Sequence, residues 1–162
     1  MNARRVVPLA LLATILLIGT GAALAPVPFL LLEVAGGKTL HLALPADGEF
    51  VYRYRHSVYD ALVDERFRVE ADVVRQLEIR SVDRRTLEYY GLPSEPEQRD
   101  GTFVMPGNPD PIPRIALIVL RQQQQALVVG TSRFDLSTEL GDARLTLRPV
   151  RITRVAALFT TR

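Results

Sequence analysis

The 162 residues suffice for one domain plus an appendage, and a domain of that size buries a real core. Of the 20 basic residues, Arg4 and Arg5 precede Glu33, the first acidic one. The remaining 18 balance the 18 acidic residues, so the pI of 9.3 marks no basic stripe and argues against nucleic acid as a partner. The absence of cysteine excludes disulfides, thiolate metal sites, cysteine nucleophiles and a lipidated N-terminal cysteine.

Residues 6–25 (VVPLALLATILLIGTGAALA) carry no charge, and as a helix these twenty residues would span roughly 30 Å, the thickness of a bilayer core. Pro8 is tolerated in a first turn, and Pro26 and Pro28 end the segment. Arginines on the N-terminal side alone predict a single-pass inner-membrane anchor, with the N-terminus cytoplasmic and the remainder periplasmic. A cleaved signal peptide is the competing interpretation. Cleavage after Ala25 would leave Pro26 first, whereas cleavage after Ala22 or Ala23 avoids this. The expected division is an anchor or signal segment over 1–27 and an exported domain over 28–162.

Within that domain, residues 28–34 (PFLLLEV) and 38–44 (KTLHLAL) read as two strands joined at Gly36-Gly37. Residues 45–48 (PADG) form a turn, with proline fixing φ and glycine allowing positive φ. Residues 49–58 and 61–70 alternate as a hairpin, and residues 71–90 read as a further strand. Residues 94–113, with five prolines, read as loop around a short strand at Phe103-Val104-Met105. The apolar run 114–120 (RIALIVL) predicts a strand buried on both faces. Residues 121–125 (RQQQQ) turn the chain, and ALVVG returns it. Residues 143–155 supply one or two closing strands, with Pro149 requiring an edge or a bulge. No long amphipathic helix follows Leu32. The expectation is a mainly β fold, an antiparallel sandwich or partly open barrel, preceded by one N-terminal transmembrane or signal helix.

The hairpin carries the chemistry that stands out. With residues 59–62 as a four-residue turn, Val58 faces Val63, Tyr54 faces Phe67 and His56 faces Glu65. Phe50, Tyr52 and Tyr54 then share the inner face with that pair, and Arg53, Arg55, Asp64, Arg66 and Arg68 lie outside. Directly opposed Cβ atoms stand about 4.5–5.5 Å apart, so a buried carboxylate and a buried imidazole would satisfy one another. The pair is read as structural or as part of a binding site. Hydrolysis is disfavoured, because His56 and Ser57 point to opposite faces of a strand and no G-x-S-x-G turn exists. His41, His56 and Glu65 have no H-E-x-x-H spacing, so no metal, no cofactor and no catalytic residue is assigned.

HSVYDALVDERFRV (56–69), LLEV near the start of the exported part, YGLPSE (90–95) and RFDL (133–136) together resemble a family of small exported bacterial proteins of unknown function. Its members are encoded beside, or fused to, TRAP-type transporters of the TAXI class. The matching positions are His56, Ser57, Glu65, Gly91, Leu92 and Pro93, although Tyr89-Tyr90 stands where that family usually has a small residue. The resemblance implies no activity. It implies a non-catalytic accessory of a transport system, whose partner is the permease or the solute-binding protein. The alternative is a small-ligand or metal sensor with His56, Glu65 and the Gly91-Leu92-Pro93 segment around a pocket.

Overall fold

The computed structural model describes residues 26–154. Among them no helix is long and apolar enough to cross a membrane, and the run 6–25 lies outside the described residues. Two antiparallel sheets form, with no closed barrel.

The smaller sheet has the order β2-β1-β11-β8, built from β1 (Pro26–Val34), β2 (Thr39–Ala43), β8 (Ile115–Val119) and β11 (Ala143–Thr153). The larger has the order β10-β9-β3-β4-β5-β7-β6. Its strands are β3 (Glu49–Arg55), β4 (Leu62–Glu70), β5 (Val73–Ser81), β6 (Glu97–Arg99), β7 (Thr102–Pro106), β9 (Ala126–Val129) and β10 (Ser132–Asp135). Two short helices, α1 (Arg84–Glu88) and α2 (Leu136–Leu140), and a 3-10 turn at Arg121–Gln123 complete the described chain.

Alternation explains how the sheets meet. Leu30 and Leu32 of β1 and Leu145 and Leu147 of β11 pack against Phe50, Tyr52, Phe67 and Leu127 of the larger sheet in one buried cluster. Phe50 and Phe67, opposed across β3 and β4, stack with ring centres 5.3 Å apart. A second cluster, Val63, Ile79, Leu87 and Met105, lies under α1 and the residues that follow it. The smaller sheet thus covers one half of the larger sheet's inner face, and α1 with Tyr90 and Leu92 covers the other.

The outer face of β3–β5 is a lattice of charge. Arg53 and Asp64 meet at 2.6 Å, Arg66 bonds Glu49 at 2.6 Å, and Arg80 reaches Glu78 at 2.6 Å. The two arginines on Glu49 hold its carboxyl below the ordinary range, chiefly through hydrogen bonds. Such part-exposed pairs contribute little each. They keep this face in water and so fix which face turns inward.

Several expectations change. β8 is not buried on both faces: it is an edge strand, Ala116 faces solvent and Ile118 is 64% exposed. Residues 71–90 hold β5 and then α1, a helix of five residues and too short to leave a periodic signal. The 94–113 segment carries two strands, β6 and β7. Pro149 sits within central β11 yet meets the rule for proline locally. β8 pairs only as far as Leu147, so among the described residues the strand at Pro149 has a partner on the β1 side alone.

Candidate functional site

The β3–β4 hairpin closes two rungs earlier than the sequence pattern suggests. Arg55 pairs with Leu62, Tyr54 with Val63 and Tyr52 with Glu65. His56 and Glu65 are therefore not opposed, and the expected bridge does not form. The inner and outer faces are nevertheless as expected, because the slip is by an even number of residues. A loop of residues 56–61 replaces the four-residue turn, and its own hydrogen bonds decide the register. His56 N donates to Ala61 O at 2.8 Å, and Asp60 N donates to His56 O at 2.9 Å. Asp60 takes the left-handed conformation, φ 52°, that aspartate tolerates. Val58, expected in the core, is 62% exposed in this loop.

His56 is buried and serves its own loop. Its Nδ1 accepts from Val58 N at 3.2 Å, which leaves Nε2 to carry the proton of the neutral ring. The ring stacks on Tyr59 with centres 5.3 Å apart and meets the Tyr89 ring edge-on at 5.0 Å. The Arg85 guanidinium caps Tyr59 from 5.1 Å. Ser57 is exposed beside it.

Glu65 occupies the middle of an otherwise apolar row. Reading across the larger sheet, Leu127, Tyr52, Glu65, Ile79 and Met105 are successive partners on the inner face. Its carboxylate accepts from Tyr90 Oη at 2.7 Å and from Gln76 Nε2 at 2.7 Å. The Tyr90 and Tyr54 hydroxyls share a short hydrogen bond, and Gln76 Oε1 accepts from Asn108 N at 2.9 Å. Five segments are thereby tied to one carboxyl group: β3, β4, β5, the turn after α1 and the 107–113 loop. Burial pushes the Glu65 carboxyl above its ordinary value, and the bonds from Tyr90, Tyr54 and Gln76 offset part of that rise. The same burial, with the Glu65 charge nearby, holds the Tyr52, Tyr54 and Tyr90 hydroxyls well above the phenolic range.

Tyr89-Tyr90 links the two sites without joining them. Asp83 caps α1 by accepting from Arg85 N at 3.0 Å, and Gly91, at φ +63°, stops the helix with its N–H on Glu88 O at 3.1 Å. Between cap and glycine, Tyr89 turns to His56 and Tyr90 to Glu65. Leu92 packs on the second core cluster and Pro93 is exposed. A shallow groove of about 300 Å³ runs past Leu92, Pro93, Glu95 and Met105, but neither His56 nor Glu65 lines it. His41 is exposed on β2, and among the described residues no group of three His, Asp or Glu side chains could hold a metal ion.

Tyr90 and Gln76, the bonding partners of Glu65, had a signal in the sequence. A carboxylate on an apolar face demands donors, and Tyr90 stood out as the departure from the resembled pattern. Thr86 of α1 is the converse case, fully buried with a hydroxyl that has no hydrogen-bond partner among the described residues. Thr86→Val removes an unsatisfied group at nearly constant shape and is expected to raise stability by about 1 kcal/mol, checked by urea denaturation.

The two places are chemically distinct: a desolvated carboxyl bonded by phenols at Glu65, and an imidazole closed into its own loop at His56. Comparison of the chain with protein-family models, with curated proteins and with solved structures returned no match.

Proposed function

We propose that the chain is a membrane-tethered, exported β-domain with no catalysis of its own, acting as an accessory to a TRAP-type transport system of the TAXI class. The permease or the solute-binding protein is its partner. The observation that carries this reading is the junction at Pro26. The uncharged run 6–25 ends one residue before β1 begins, and Pro26 is already paired with Thr153 of β11. A run that spans the bilayer would therefore hold the sheets directly against it, with no linker between.

The strand order supports docking at the other end. Leu44 N bonds Pro28 O, so the 45–48 turn lies beside the start of β1, and the seven residues of β3 then lead about 23 Å away. At that far end Val58, Leu62, Val82 and Tyr89 are each exposed. The transport context rests on the resemblance of residues 56–69 and 90–95.

The test expresses the full chain in a bacterial host carrying the transporter, followed by carbonate extraction and crosslinking. The protein should stay with the membrane, and Leu16→Arg with Ile18→Arg should release it. A crosslinker placed at Val58 should recover the permease or the solute-binding protein. Extraction of the parent by carbonate, or normal substrate uptake in a deletion strain with no transporter component crosslinked, overturns the proposal.

A further inference from the structure

Among the described strands, β2 is a sheet edge without a guard. It pairs with β1 on one side, and among the described residues no strand pairs with it on the other. Natural sheet edges are guarded by charge, proline, bulges or a covering element. β6 carries Glu97 and Arg99 and follows Pro96, and β10 carries Arg133 and Asp135. β8 has α2 packed beside it. β2, Thr-Leu-His-Leu-Ala, has no charge, no proline and no register shift.

This edge borders an apolar cleft. An open groove of about 420 Å³ lies between β2 and the β9–β10 hairpin, lined among the described residues chiefly by Leu32, Leu40, Leu42, Val129 and Phe134. Leu40 and Leu42 are half-buried on its wall, and Leu32 is fully buried at its base. An open row of backbone donors and acceptors beside an apolar groove has a specific complement. An added strand completes the ladder while every second side chain enters the groove.

We propose that β2 and this cleft bind an extended segment of a partner protein by strand addition. The segment is uncharged over about five residues, the length of β2, and apolar at alternate positions. Its backbone meets residues 39–43, and its apolar side chains lie against Leu42, Val129 and Phe134. Val34 and Asp47 bracket a stretch whose one formal charge is Lys38, so nothing acidic opposes a neutral strand. This goes beyond the transport reading and does not require the partner to be a transport component.

The test uses the full chain in lipid nanodiscs and a fluorescein-labelled peptide, Thr-Val-Thr-Val-Thr-Val-Thr, beside a copy with proline at the central valine. The alternating peptide should bind and slow hydrogen exchange of amides in residues 39–43 by about ten-fold or more, leaving 115–119 unchanged. Leu42→Glu and Val129→Glu, on opposite walls, should each weaken binding about ten-fold. Melting curves identify a variant that has lost its fold, and the other then carries the test. Four results with the peptide overturn the proposal. They are equal binding of the proline peptide, no binding at millimolar peptide, protection confined to another edge, and displacement by dodecanoate with no slowing at 39–43. Full protection of those amides in the free chain does so too, because residues outside 26–154 would then already cover the edge.

Discussion

Glu65→Ala lowers the unfolding free energy by about 3 kcal/mol, measured by urea denaturation at neutral pH, because it leaves Gln76 Nε2 and one hydroxyl of the bonded Tyr54–Tyr90 pair without an acceptor and opens a void among Tyr52, Tyr54 and Ile79. The loss does not depend on His56, which makes no bond to Glu65, so the same substitution in a His56→Ala background costs a similar further amount. Glu65→Gln keeps the shape and most of the stability and adds a pH signature. Because burial raises the folded-state pKa above the ordinary carboxyl value, the fold binds this proton more tightly than the unfolded chain does. The stability that the protonated carboxyl contributes is fully present below the unfolded-state value and is lost as pH rises through the raised folded-state value. The stability difference between parent and Glu65→Gln should therefore shrink across that window. Other carboxylates, Glu49 among them, titrate equally in both proteins and cancel.

Gly107→Ala is the second large effect, a loss of about 3 kcal/mol. A Cβ at Gly107 would lie 2.4 Å from the Gln76 carbonyl oxygen and 2.6 Å from its carbon, closer than real Cβ atoms come to backbone. β5 is irregular here, with a register shift opposite Arg66 and Phe67, and Gly107 N closes onto Leu77 O at 3.1 Å. Forcing the strands apart breaks that bond and the one from Asn108 N to Gln76, and it draws Gln76 off Glu65. The measurable consequence is coupling. Gly107→Ala and Glu65→Ala should together cost less than their separate losses added, by about 1 kcal/mol in a double-mutant cycle.

How far the sequence carried follows from period and parity. Alternation alone placed Phe50, Tyr52, Tyr54, Phe67 and Val69 inside, Arg53, Arg66 and Arg68 outside, and Glu65 on the inner face, because a two-residue period states the face of every strand residue. It could not state the register. Slips by an even number of residues preserve both faces, so the choice fell to the loop, and the loop is held by backbone bonds and by the left-handed Asp60 that no alternation reveals. α1 and α2 were missed since neither completes two turns, too few to leave a periodic signal; Asp83 and Asp135 cap them, and Gly91 and Gly141 follow them. β8 was misplaced because a wholly apolar run fits a buried strand and an edge strand equally well. The need of Glu65 for a donor was legible, but the sequence pattern assigned it to His56 and not to Tyr90. That Tyr90 answers Glu65, with Tyr89 answering His56, follows only from the turn after α1.

The most direct test of the separation between these two sites is the titration of the Glu65 side-chain carboxyl, followed by carbon NMR in the parent, His56→Ala and Tyr90→Phe. A midpoint above 4.5 is predicted, unmoved by His56→Ala and raised further in Tyr90→Phe, since the Tyr90 bond lowers it. A midpoint at or below 4.5, or one displaced by His56→Ala while Tyr90→Phe leaves it in place, would contradict the account and restore a paired His56–Glu65 site.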